Sequence, residues 1–233
     1  IFDAFGADAM LVFNFTREMS QMSPEEFVRD MLVGQLGLAG VVTGEDITFG
    51  KGRAGNIDSL RDLGAKHGLS SIAVPPVEAE GAVVSSSRVR EALRAGDPAL
   101  AARLMTRPFA IRGTVIHGDK MGRELGFPTA NVEIGSYLRP AYGIYAVRGH
   151  LADGRTLDGA ANVGIRPSFD PPKELLEPYF FDFEGDLYGQ EIEVDLIEYL
   201  RPEMKFDDMN ALSEQMKDDC AHAKSLLTDR QGK

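Results

Sequence analysis

The sequence predicts a chain in two parts, an α/β N-terminal half and an all-β half, a small antiparallel barrel or sandwich, followed by a C-terminal helix. Three observations carry this. Between residues 9 and 106, short apolar runs alternate with amphipathic helical stretches. From Phe109 onward, strand-like runs follow one another with only Gly, Pro and Asp turns between them. Met209, Leu212, Met216, Cys220, Ala223 and Leu227 then recur at steps of three or four, the stripe of a helix with one buried face.

In the first half, Ala9 to Phe13 reads as a buried strand. Ser23 caps a helix with Pro24 at its first position and Glu26 completing a capping box. Phe27, Met31, Leu32 and Leu36 supply its buried face, and Gly37 ends it. Gly40–Thr43 is the next strand. Asn56 caps a helix carrying Ile57, Leu60 and Leu63, Ser71–Val74 forms a third strand, and Ser86 or Ser87 starts a helix through Leu93. Strand, helix, strand, helix, strand predicts a parallel sheet with helical crossovers. Asp97-Pro98 opens a short helix to Leu104. The pattern changes near Met105–Pro108, which places a domain boundary there: 1–106 and 107–233. Strands are expected at 109–116, 142–149, 157–163, 175–183 and 191–199, in a small antiparallel barrel or sandwich.

The chain has 233 residues and a net charge of -11, with 43% hydrophobic and 26% charged residues. That composition belongs to a globular protein and excludes a non-specific nucleic-acid binder, which needs a basic surface. No apolar run approaches the roughly 20 residues of a membrane span. One cysteine, Cys220, permits no internal disulfide, so a reducing, cytoplasmic setting is expected. The four histidines are scattered without metal-ligand spacing. The acidity is uneven. Residues 107–172 carry 8 basic and 6 acidic side chains, whereas 173–233 carry 7 and 16. An anionic ligand would therefore meet the middle of the chain. Oligomeric state is not legible.

Two segments stand out chemically. In His117 to Asn131, three glycines, Gly118, Gly122 and Gly126, follow a strand and could turn amides toward an anion. Lys120 and Arg123 add positive charge, and Thr129 and Asn131 offer hard oxygen ligands suited to Mg²⁺. By the residues alone, an ordinary turn is as good a reading. In Leu175–Phe183, Glu177 shares a strand face with Tyr179, Phe181 and Phe183. Burial there would raise its pKa and suit it to proton transfer, unless that end of the face is solvated. Pro178 lacks a ladder donor, which predicts an edge strand, a strand start or a bulge.

Gly118 through Asn131, ending Gly-Phe-Pro-Thr-Ala-Asn, resembles the signature of riboflavin kinases. So do Asn162–Pro167, Leu176-Glu177 with Phe181–Phe183, Gly185–Gly189 and Leu200–Phe206, in that order over 107 to about 227. The resemblance implies a riboflavin kinase barrel that uses ATP and Mg²⁺ to convert riboflavin to FMN. Glu177 would be the general base. Gly118, Lys120, Gly122, Arg123, Gly126, Thr129 and Asn131 would bind ATP, with Thr129 and Asn131 on the metal, and Arg201 and Asn162 would face the flavin. Only small-molecule partners are implied, with no nucleic acid and no membrane.

The first half is similar to the adenylyltransferase domain of bacterial bifunctional riboflavin kinase/FAD synthetases, a Rossmann-type, nucleotidyltransferase-like fold. The similarity lies in Thr43–Gly55 and Val84–Arg90. It implies nucleotide- or flavin-side roles for Gly44, Asp46, Phe49, Gly50, Arg53, Ser85, Ser86, Ser87 and Arg90. Small hydroxyls and helix-start amides beside arginines suit an anion, although Ser85–Ser87 alone could be a helix cap. That family's early Gly-x-Phe-Asp-Gly-x-His-x-Gly-His motif does not occur in these residues, and the chain starts at Ile1. The expectation is an incomplete domain with impaired FAD synthesis, or a full FAD synthetase if residues precede Ile1. A non-catalytic flavin- or nucleotide-binding module is the alternative of another class. Thr129, Asn131 and Glu177 together argue against it, because flavin binding alone needs neither a metal pair nor a base.

Overall fold

The computed structural model describes residues 2–118, 122, 125–166, 171–206 and 208–231. Two compact units divide between Glu78 and Ala79.

In the first unit, α1 (Arg17–Gln21) and α2 (Pro24–Glu26) precede a π-helix at Phe27–Gln35. Ser23 forms the expected capping box. Its Oγ accepts from Glu26 N at 3.2 Å while Glu26 Oε2 accepts from Ser23 N at 2.7 Å. The wider winding of a π-helix, which hydrogen-bonds five residues apart, moves the buried face. Val28 and Met31 are buried, and Phe27 is only half-buried. β1 (Gly40–Gly44) and β2 (Ser70–Val74) pair in parallel, joined by α3 (Ile57–His67). Asn56 caps α3 with Ser59 completing the box. Val28, Leu60 and Leu69 form the unit's core.

The expected strand at 9–13 does not form. Met10, Leu11 and Val12 are exposed and outside any strand. An apolar run becomes a buried strand only where neighbouring backbone and a facing layer accept it. Here β1 and β2 bury one face, and on the other Val42 and Ile72 stand opposite each other and exposed.

A short hairpin of β3 (Glu78–Ala79) and β4 (Ala82–Val83) follows in sequence. α4 (Ser86–Arg94) starts at Ser86, the first of the two expected positions, and Ser85 caps it by accepting from Arg88 N. Asp97 caps α5 (Pro98–Met105). The compact units divide well before the change of sequence pattern at 105–108, because α4 and α5 pack together and α5 lies on strands of the barrel.

Those strands are β5 (Phe109–Ile116), β6 (Asn131–Glu133), β7 (Gly143–Leu151), β8 (Thr156–Arg166), β9 (Lys173–Phe180) and β10 (Glu191–Arg201). They close in the order β10-β5-β6-β9-β8-β7. Ile111, Val132, Val147, Val163, Leu176, Val194 and Leu196 fill the interior with essentially no exposure. Each such side chain contributes about 1.5–3 kcal/mol. A second apolar layer lies outside the barrel, where Ala146, Ala160, Phe181 and Ile197 meet Ala223 and Leu227 of α6 (Met209–Gln231). Strands covered on both faces lose strict alternation, and the burial of β8 shows this.

Pro178 lies inside β9, opposite Ala161 of β8, and its carbonyl accepts from Ala130 N at 2.9 Å. Neither an edge, a start nor a bulge is required. An antiparallel residue's N–H and C=O point to the same neighbour. The absent donor therefore faces the point where the three-residue β6 begins and its ladder stops.

Candidate functional site

The antiparallel register builds the site. Glu177 of β9 stands opposite Asn162 of β8, Asn162 opposite Ile144 of β7, and Ile144 opposite Arg201 of β10. Neighbouring strands lie about 4.8 Å apart, so this row runs about 14 Å across the outside of the barrel. All four residues line one cavity of about 390 Å³. Thr129, Asn131 and Gly122 line it too, as do Leu212, Met216 and Cys220 of α6. The apolar stripe of α6 thus splits. Ala223 and Leu227 are core, while Leu212, Met216 and Cys220 are half-buried walls of the cavity.

Thr129 and Asn131 flank Ala130, whose bond to Pro178 ties them to β9 beside Glu177. Asn131 is buried and packs under the chain at Gly118, where a Cβ would lie 2.5 Å from Asn131 Nδ2. A Cβ at Gly122 would lie 3.5 Å from Thr129 Oγ1. Gly118 lets backbone close on Asn131, and Gly122 lets it close on the Phe127 carbonyl, with which a Cβ would collide. Among the described residues no three His, Cys, Asp or Glu side chains gather for a metal. A hydroxyl and an amide oxygen fit a hard cation that takes most of its ligands from water and phosphate, as Mg²⁺ does.

Glu177 does not meet its aromatic neighbours alone. Arg166 pairs with it through Nη2, and Arg166 Nη1 lies 3.4 Å from Glu203 Oε1. Burial pulls the Arg166 pKa down, but Glu177 and Glu203 more than offset this and hold it above its usual value. Asn162 Nδ2 donates to Glu203 at 3.1 Å and lies 3.5 Å from Glu177 Oε2. Asn162 Oδ1 is buried and has no partner among the described residues. Tyr179 lines the cavity, while Phe181 belongs to the layer under α6.

Arg201 lines the far end of the row, with its donors engaged. Nε and Nη2 donate to the two oxygens of Asp219 at 2.9 and 2.6 Å, and Nη1 to Pro202 O at 2.9 Å. Ile144, Met204 and Phe206 add apolar wall around this pair. Tyr188 lines the cavity and stacks on His117 at 3.9 Å between ring centroids, while Gly189 beside it takes a left-handed turn.

Of the other residues singled out by sequence, Gly126 occupies a left-handed turn at φ 87°. Lys120 and Arg123 lie outside the described residues. Gly44, Asp46, Phe49, Gly50 and Arg53 fall in the first compact unit, and Ser85, Ser86, Ser87 and Arg90 in the second. Phe49 packs on Phe27 at 5.7 Å, and Gly50 is left-handed, where a Cβ would strike Pro24. Ser86 Oγ accepts from Arg90 Nη1 at 3.2 Å. Arg88, the other arginine of that motif, donates to the carbonyls of Ala79, Ala82 and Val83 and braces the hairpin. Sequence reasoning assigned no role to Arg166, Glu203, Asp219, Leu212, Met216 or Cys220. Arg166 and Glu203 lie within the Asn162–Pro167 and Leu200–Phe206 motifs, the spacing of the α6 stripe pointed to Leu212, Met216 and Cys220, and nothing pointed to Asp219.

Comparison with known proteins identifies the family. A family model described as riboflavin kinase matches residues 105–227, and one described as FAD synthetase matches residues 1–88. A Pseudomonas fluorescens bifunctional riboflavin kinase/FMN adenylyltransferase is 40% identical over 95% of this chain and 71% of its own length. The Escherichia coli K12 protein of the same description is 36% identical over 92% of this chain and 68% of its own. A Streptococcus pneumoniae structure described as a macrolide-efflux protein superposes with a TM-score of 0.78 at 31% identity, over 88% of this chain and 66% of that one. No helix among the described residues is long and apolar enough to cross a membrane. With its cavity on the outside of a six-stranded barrel and relatives of this identity along nearly its whole length, the chain belongs to the family of bifunctional riboflavin kinase/FMN adenylyltransferases.

Proposed function

We propose that residues 107–233 form a riboflavin kinase domain that moves the γ-phosphoryl group of ATP to the 5′-hydroxyl of riboflavin, giving FMN and ADP. Residues 1–106 form an adenylyltransferase-like domain in this reading. The observation that carries it is the single cavity in which Glu177 stands between the oxygen pair Thr129 and Asn131 and an apolar slot. The slot, walled by Ile144, Leu212, Met216 and Phe206, takes the flat flavin ring. The buried Oδ1 of Asn162 awaits a donor, which a polyhydroxylated ribityl chain supplies.

Glu177 receives the hydroxyl proton as the oxygen bonds to the γ-phosphorus and the bond to the β-phosphate oxygen breaks. Arg166 keeps the carboxylate in place. Thr129 and Asn131 would hold Mg²⁺, which neutralises charge on the β- and γ-phosphates. Phosphoryl transfer asks for position and charge stabilisation more than covalent help from the protein. A reducing, cytoplasmic setting suits the lone cysteine.

Incubation with riboflavin, ATP and Mg²⁺, followed by chromatographic separation of the flavins, tests the reading. FMN is expected. Flavin that binds but is never converted would favour the non-catalytic module. FAD in addition would report the second activity named for the relatives.

Cys220 offers an independent check on where the flavin sits. Burial, with Asp219 adding to it, pushes its thiol up to about 11. At pH 8 only about one molecule in a thousand carries the reactive thiolate. Iodoacetamide is expected to label Cys220 slowly, faster as pH rises toward 11, and more slowly again with saturating riboflavin. Equal rates with and without riboflavin would move the flavin out of this slot.

A further inference from the structure

We infer that Glu203 is a positioning residue for the kinase reaction: seated on the backbone of Gly164, its carboxylate holds Arg166 and Asn162 and through them sets where Glu177 stands. The inference rests on the kinase reading above and adds a residue to it. Glu203 follows β10, and Glu177 lies within β9. Three contacts bridge the gap between them. Glu203 Oε1 accepts from Asn162 Nδ2 at 3.1 Å and lies 3.4 Å from Arg166 Nη1, while the other terminal nitrogen of Arg166 pairs with Glu177. One guanidinium is thus shared by two carboxylates, and a planar fork gripped at both ends has little freedom to rotate.

Asn162 is fixed by the same pair. Its amide nitrogen faces two carboxylates that can only accept, so Nδ2 must be the atom turned to them. This directs Oδ1 to its buried, unpartnered position, in a residue that lines the cavity. Glu203 therefore orients both the residue that steadies the base and the residue placed to receive a substrate hydroxyl.

The seat of Glu203 is built into β8. A Cβ on Gly164 would collide with the Glu203 carboxylate, with its Cδ only 2.8 Å away. Gly164 lies at a strand position where alanine is tolerated in backbone terms. The obstacle is the free end of a flexible side chain, which can swing away. Gly164→Ala displaces the carboxylate without deleting it. The Glu203 side chain is 40% exposed, and ion pairs with that much water contribute little to stability. Its contribution is geometric.

The test compares steady-state kinetics of Glu203→Ala, Gly164→Ala, the double variant and Glu203→Gln, with Glu177→Gln as reference. Each single alanine variant is expected to lower kcat about tenfold, with KM for riboflavin and MgATP within about twofold of the parent and thermal unfolding unchanged. The double variant should be no slower than the slower single, because both act through one carboxylate. Glu203→Gln keeps an accepting oxygen at the same reach and should recover at least about half of kcat. Parental kcat in either alanine variant, multiplying losses in the double, or a loss confined to KM would overturn the inference while a slow Glu177→Gln left the kinase reading standing. Near-normal Glu177→Gln would overturn the base assignment and this inference with it.

Discussion

Glu177→Gln is expected to lower kcat about 100-fold or more, the range in which a positioned general base acts. Glutamine has nearly the same shape and keeps a carbonyl oxygen for Arg166 and Asn162, so the site should still assemble. It cannot accept the hydroxyl proton. KM values should change little, because the lost interaction belongs to the transition state. The structure sharpens why this carboxylate suits the role. It stands at the end of the cross-strand row, beside the chain segment bearing Thr129 and Asn131, and Arg166 holds it in one orientation. Near-normal turnover by the variant would remove Glu177 from the chemistry.

Thr129→Ala and Asn131→Ala are expected to raise the KM for MgATP about tenfold or more each and leave riboflavin affinity within about twofold. Each removes one hard oxygen from a cation that has few protein ligands to lose. The two features are separate on the barrel: the oxygen pair lies by the start of β6, and the apolar slot lies between β7, β10 and α6. Titrating each ligand separately decides this, and unchanged nucleotide affinity would count against the assignment. Asn131 is also buried, so thermal unfolding of its variant should be recorded alongside.

Much of the fold was legible because local signals were strong. The caps at Ser23, Asn56 and Asp97 each sit where their side chains bond the first turn. Five of the six barrel strands followed from turn residues and apolar content, and the three-residue β6 carried no such signal. What failed were inferences that needed a partner. The run at 10–13 looked buried, but hydrophobicity states a preference and not the presence of a neighbour. Pro178 looked like an edge, a strand start or a bulge because its own sequence cannot reveal that β6 spans three residues and begins just past it.

The candidate site divides in the same way. Thr129, Asn131 and Glu177 came from motif, and the cavity brings them together. Arg166 was quoted within a motif yet given no role, since its pairing with Glu177 depends on the β8–β9 register. Arg201 was expected to face the flavin, with a salt bridge as the other reading. It lines the cavity, but Asp219, eighteen residues along the chain, takes the Nε–Nη2 edge of its guanidinium. Glu203 lies within the Leu200–Phe206 motif yet was given no role, because only the folded barrel lays it over Gly164.

The central claim is phosphoryl transfer from ATP to riboflavin at this cavity. ATP labelled at the γ-phosphate, incubated with the chain, Mg²⁺ and riboflavin, tests it most directly. Label is expected in FMN, at one phosphate per flavin and in step with ADP formed. Label recovered only as ATP or inorganic phosphate, with riboflavin unchanged, would contradict it.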